Sequence, residues 1–97
     1  MHDKSVVWLR KALQDLNEQM QYLEEVAGMN TAEAMAERIW KAGQSLTILP
    51  SRGRPGKVPG TRELVLANAP YYISYRVCEN KVQILRIIHF SQNYPVQ

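Results

Sequence analysis

Few side chains in this 97-residue sequence can do chemistry, and their types narrow what that chemistry is. His89 is one of two histidines, and an imidazole titrates close enough to neutrality to take or give a proton. As a lone histidine it reads at least as readily as a strand-end residue hydrogen-bonded to backbone. Cys78 is the single cysteine, which excludes an internal disulfide. No histidine lies near it in sequence to lower its pKa, so it reads as strand filler rather than as a nucleophile. Two histidines and one cysteine give no ligand set spaced for zinc, and neither a metal nor any other cofactor is expected. The remaining candidates are cations: Arg54, Lys57, Arg62 and Arg76 could each hold a phosphate or form an ordinary surface ion pair.

These cations are not spread evenly. Residues 1–49 hold five basic and seven acidic side chains, a net −2, whereas residues 50–97 hold seven basic and two acidic ones, a net +5. The second half is therefore the one that would meet a polyanion or an acidic protein segment, because such a field raises the on-rate of negative partners.

The elements that must position these groups follow from periodicity. Val6-Val7-Trp8-Leu9 reads as a strand. Ala12, Leu13, Leu16, Met20, Leu23 and Ala27 then recur at helical spacing, with Lys11, Asp15, Glu18, Gln21 and Glu25 on the opposite face. Gly28 can end that helix in a left-handed conformation. Asn30 with Glu33 resembles a capping box, and a second stripe from Ala32 to Leu46 runs until Pro50 stops it. Helices joined by about three residues fold back as an antiparallel hairpin. Residues 50–61 hold three prolines and three glycines and read as an irregular basic loop. Residues 62–67, 71–78 and 81–90, rich in β-branched and aromatic side chains, predict three antiparallel strands, the last two joined by a turn at Glu79-Asn80. The class is α+β: an N-terminal strand, an antiparallel helical hairpin, and a three-stranded meander in one sheet.

Strict alternation sorts the last hairpin by face. Pairing Cys78 with Lys81 puts Tyr71, Ile73, Tyr75 and Val77 beside Val82, Ile84 and Ile88 on the core side, where Arg86 is an anomaly that needs a partner or a sheet end. The other side carries Tyr72, Ser74, Arg76, Gln83, Leu85, Ile87 and His89. Apolar Leu85 and Ile87 among polar neighbours, with Arg76, suggest a binding face that an acidic, apolar-studded partner segment covers.

The length suits one domain spanning 1–97, and the 45% hydrophobic, 22% charged composition is that of a globular chain. No stretch approaches the roughly 20 apolar residues of a membrane span, and the first residues lack the pattern of a signal peptide, so a cytoplasmic protein is expected.

Several segments together resemble the RelE/ParE superfamily of toxins from type II toxin-antitoxin systems, along nearly the whole chain. They are Trp8, Ala12 to Leu16, Leu46-x-x-Leu49-Pro50, Gly53-Arg54-Pro55-Gly56 and Val58-Pro59-Gly60-Thr61-Arg62-Glu63-Leu64. They continue with Pro70-Tyr71, Tyr75-Arg76-Val77, Ile84-Leu85-Arg86-Ile87-Ile88-His89 and Tyr94-Pro95. The resemblance implies a toxin that arrests growth unless an antitoxin wraps an extended or helical segment around it.

Two activities share that fold, and only the site chemistry separates them. Members that cleave mRNA on the ribosome place an arginine before the aliphatic pair leading into Tyr-x-Val, where this chain has Tyr72. Metal-free RNA cleavage needs a proton-transfer group and cations on the phosphate, so such an enzyme would use His89 with Arg62. Arg54, Lys57, Arg76, Tyr72 and Tyr94 would then contact target or phosphate. The missing arginine turns the reading towards ParE-like members, which act on DNA gyrase. A basic module without toxicity is the third alternative.

Overall fold

The structure, a computed structural model, describes residues 4–92. Strand β1 (Ser5–Trp8) leads into helices α1 (Arg10–Ala27) and α2 (Met29–Gln44), and a 3₁₀ turn at Ser45–Thr47 follows. Four more strands complete the chain: β2 (Arg54–Pro55), β3 (Arg62–Val65), β4 (Tyr71–Val77) and β5 (Lys81–His89). They form one sheet in the order β1-β5-β4-β3-β2.

The α+β class, the helix pair and the meander of β3, β4 and β5 are as expected, but the sheet differs in two ways. It is mixed, because β1 runs parallel to β5, Val6 opposite Val82 and Trp8 opposite Ile84. The crossover through two helices brings the first strand to the last one in the parallel sense. The sheet also has a fifth strand inside the Pro/Gly segment: Arg54 pairs Glu63, and Gly56 N–H donates to Thr61 O at 2.8 Å. Prolines and glycines hid it, since Pro55 can sit only where its missing N–H faces outward from an edge.

The helices meet at a single residue rather than three. Gly28 has φ 96° and closes α1 by donating to Glu24 O, and α2 starts at Met29 without a side-chain cap, so Asn30 lies inside the helix. Ala12, Leu16 and Met20 of α1 and Met35, Ile39 and Ala42 of α2 pack on Leu64, Ile73, Tyr75, Val82 and Ile84 of the sheet. Leu13, expected in this core, is exposed, and Asp15, expected on the solvent face, is 5% exposed. The stripe is rotated because Asp15 serves the sheet. β1 ends at Trp8, leaving the β5 edge open beyond Ile84, and there Asp15 Oδ2 accepts from Ile87 N–H at 3.1 Å and from Arg86 Nε at 2.6 Å. The misplaced Arg86 thus has its partner, with Nη2 donating to Asp15 Oδ1 at 3.1 Å.

A bulge resets the faces of the last hairpin. Tyr75 pairs Ile84 and Ser74 pairs Arg86, so Leu85 has no opposite residue, and alternation beyond it shifts by one. Ile87 therefore lies in the core, fully buried, and Ile88 moves to the outer face beside Tyr72. This corrects the face expected for Ile87: it is not available to a partner.

On the other side of the core, Gly43 is what lets α2 approach β1. A Cβ there would stand 2.5 Å from Trp8 Cζ2. The indole cannot yield easily, being stacked on Trp40 at 4.7 Å and donating from Nε1 to Gln44 Oε1 at 2.8 Å. Gly43→Ala gains about 1 kcal/mol of helix propensity but overpacks this contact, a cost of about 1–3 kcal/mol. A net loss in the denaturation midpoint is the expected outcome, and a midpoint above the parent's would show that the indole relocates freely.

Candidate functional site

The residues marked by the sequence do not converge on one constellation. Arg62 faces the helix side of the sheet, opposite Tyr75, and its Nη1 donates to Gly53 O at 2.7 Å and Ser51 O at 3.3 Å. It ties down the chain entering β2. Tyr75 does the same from beneath, its hydroxyl donating to Pro50 O at 2.7 Å and accepting from Gly53 N–H at 2.9 Å. Burial raises the Tyr75 pKa, against the lowering effects of the Gly53 N–H and of the Arg62 and Arg52 charges. The phenol therefore stays protonated and keeps donating at neutral pH. Gly53 is required here, since a Cβ would come within 2.8 Å of Glu63 O and 2.6 Å of the Tyr75 hydroxyl.

His89 lies at the far end of β5, opposite Tyr71, with the two rings edge to face at 5.2 Å. Its Nδ1 accepts from Ser91 N–H at 3.0 Å. Its backbone N–H donates to Gln92 Oε1, which also accepts from Gln19 Nε2 of α1. The shift in alternation puts His89 on the helix side, not on the outer face expected for it. Arg62 and His89 are separated by four residues along β4 and two strand spacings, roughly 13 Å by 10 Å, too far to act on one phosphate.

The outer face of the sheet does gather several of the marked residues. Arg54 Nε pairs with Glu63 Oε1 at 2.9 Å, and its guanidinium lies 6.0 Å from the Tyr72 ring centroid. Phe90, 48% exposed, tilts against Tyr72 at 5.2 Å. Arg76 stands on the same face towards the other end of β4, exposed, with Nη1 on Gln83 Oε1 at 3.3 Å. Lys57 is exposed on the loop between β2 and β3, and Leu85 is half-buried in the bulge. Tyr94 lies outside the described residues.

Sequence reasoning missed Glu63 and Asp15 as buried acids. Glu63 is 3% exposed, and its Oε2 has no hydrogen-bond partner. The Arg-Glu step in Thr61-Arg62-Glu63 gave no sign of which side chain is buried, and Arg86, expected on the core side, lies opposite Ser74 on the other face and meets Asp15 at the β5 edge. Among the described residues no group of three or more histidines, cysteines or carboxylates could hold a metal. No helix among them is long and apolar enough to cross a membrane.

The comparisons with known proteins agree with one another. The family model described as ParE toxin of type II toxin-antitoxin system, parDE, matches residues 6–94. Y4kP of Sinorhizobium fredii (strain NBRC 101917 / NGR234), named as a toxin, is 39% identical over 95 residues, covering 98% of this chain and 97% of that one. Toxin RelE2 of Caulobacter vibrioides (strain ATCC 19089 / CIP 103742 / CB 15) is also 39% identical, over 90% of this chain and 96% of that one. Among solved structures, the chromosomal ParDE system from P. aeruginosa has a similar chain with TM-score 0.85 and 32% identity, covering 92% of this chain and 98% of that one. The RelBE2 toxin-antitoxin complex from Mycobacterium tuberculosis shares the fold, with TM-score 0.61 at 23% identity over 92% of this chain and 93% of that one. The chain belongs to the ParE toxin family of type II toxin-antitoxin systems, within the RelE/ParE superfamily.

Proposed function

We propose that this toxin arrests growth by binding its target, DNA gyrase, rather than by transferring protons on an RNA substrate. The supporting observation is the separation of His89 from Arg62. The one imidazole among the described residues and the cation expected to work with it occupy different strands and different ends of the sheet, each engaged by backbone groups. A general base must reach its proton within hydrogen-bond distance, directly or through one water. The position where mRNA-cleaving relatives carry an arginine holds Tyr72, which is 4% exposed. An antitoxin is the partner that keeps this activity in check, as the toxin-antitoxin assemblies of the structurally similar proteins suggest.

Purified toxin is expected to block gyrase supercoiling while mRNA from induced cells shows no new 5′ ends inside coding regions. His89→Ala separates the mechanisms further. Removing a proton-transfer group costs a nuclease about 10²- to 10⁴-fold in rate, whereas a binding toxin keeps its growth arrest. New 5′ ends that vanish with His89→Ala would establish the ribosome-dependent endonuclease reading instead. That second reading draws on the outer face, where Arg54 lies over the Tyr72 ring and Arg76 stands exposed towards the other end of β4.

A further inference from the structure

We propose that Arg54 anchors a carboxylate side chain of the toxin's protein target, held ready for it by the buried acid Glu63. The proposal rests on the gyrase reading above and names a contact for it. The backbone under Arg54 is fixed on both sides. Gly53 N–H donates to the Tyr75 hydroxyl, and Gly53 O accepts from Arg62. Pro55 restricts the residue before it to extended conformations, which sets Arg54 opposite Glu63 in β2.

The side chain is fixed as well. Glu63 stands on the outer face between Arg54 and Ser74, 3% exposed, and its Oε1 accepts from Arg54 Nε at 2.9 Å. The guanidinium carbon lies 6.0 Å from the Tyr72 ring centroid. Two contacts in different directions leave a long side chain little rotamer freedom to lose on binding. As a structural bridge, however, the pair is incomplete. An arginine and a carboxylate that serve each other pair through two hydrogen bonds, as Arg86 does with Asp15, whereas Glu63 Oε2 is buried without a partner. Arg54 bonds through Nε, and among the described residues its Nη1 and Nη2 have no acceptor. With the side chain 53% exposed, the two-nitrogen end of the fork is left for a group from outside.

The surroundings specify that group. Arg54 and Glu63 sum to zero charge, so the site selects by direction rather than by long-range pull. A nucleic-acid backbone is gathered by several uncompensated cations that release counterions, and Arg76 stands away towards the other end of β4. Nearer are exposed apolar side chains: Phe90, 48% exposed, tilts on Tyr72, and Val65, 42% exposed, pairs with Tyr72 from β3. A fixed arginine among aromatic and aliphatic carbon is the composition of a protein-protein hot spot, where a covered apolar rim excludes water and strengthens the ion pair inside it. The occupant is therefore an acidic side chain with apolar neighbours on the surface of gyrase itself.

The test measures binding of the full-length toxin to reconstituted gyrase without DNA, alongside inhibition of supercoiling. Arg54→Lys keeps the charge and loses the fork, so it should weaken binding about tenfold to a hundredfold while the melting temperature stays close to the parent's. Glu63→Gln should weaken binding about tenfold in the parent and change it no further once residue 54 is lysine, because it acts by positioning the guanidinium. Equal losses in both backgrounds would make Glu63 merely structural and overturn that role. If a single variant fails to fold, the neutral pair Arg54→Gln with Glu63→Gln supplies the comparison, and it should bind as weakly as Arg54→Lys. Parent-like binding by Arg54→Lys overturns the proposal and leaves the gyrase reading standing. Binding that requires added DNA and falls about a thousandfold between about 50 and 200 mM salt assigns Arg54 to phosphate and overturns it too. A parent toxin that neither binds gyrase nor blocks supercoiling removes the gyrase reading and the proposal together.

Discussion

Asp15→Ala is expected to be among the most damaging single changes in the molecule, costing about 3–5 kcal/mol in chemical denaturation. One carboxylate on α1 accepts from two guanidinium nitrogens of Arg86 and from the backbone N–H of Ile87, all at 2.6–3.1 Å. Its side chain is 6% exposed and that of Arg86 29%. Removing it deprives a charged group and a main-chain donor at once of a partner that water reaches poorly, which costs more than the interaction itself contributes. Asp15→Asn keeps the shape and one acceptor oxygen, so it should recover part of the loss. The Lys11 contact to the same carboxylate, at 4.0 Å and exposed, should matter little, and Lys11→Ala is expected within about 0.5 kcal/mol of the parent. A mild Asp15→Ala would show that α1 is held to β5 by apolar packing alone.

The second large effect tests the bulge. Ile87→Ala should cost about 2–5 kcal/mol, as for a fully buried aliphatic, while Leu85→Ala at the bulge should cost about 1 kcal/mol. Uninterrupted alternation makes both residues surface positions and predicts near-neutral results for each. Antitoxin affinity supplies an independent readout: Leu85→Ala would lower it only if the bulge is part of the interface, and Ile87→Ala can change it only through the fold. Equal costs for the two substitutions would contradict the shift between Ser74 and Tyr75.

The two helices and every strand but β2 were readable because each depends on a pattern that local physics enforces. Apolar residues every three or four positions mark the α1 and α2 stripes, and the aliphatic and aromatic runs of 71–77 and 81–89 can do little but form strands. What escaped is what depends on a second part of the chain. A single extra residue at Leu85 reverses every face beyond it, and nothing in Ile84-Leu85-Arg86-Ile87 announces which residue is extra. The same reversal carried His89 away from the outer face and Ile87 out of reach of a partner. Asp15 looked like an ordinary surface acid because the group that needs it, the β5 edge, is 71 residues away. Arg62 and His89 were joined by chemistry and separated by topology: type and charge can be read from a sequence, but distance across a sheet cannot.

The parallel pairing of β1 with β5 also sets when a nascent toxin can become a toxin. Lys4 reaches across to Cys78 O, 74 residues later, and β5, the interior strand that β1 must join, is the last to be made. At about 5–20 residues per second of synthesis, roughly 4 to 15 s separate the first strand from its neighbour, during which β1 has no sheet to join. Contacts this remote in sequence also form slowly once available, since the loop must close before they contribute. The complete sheet is therefore assembled only after β5 is free of the ribosome.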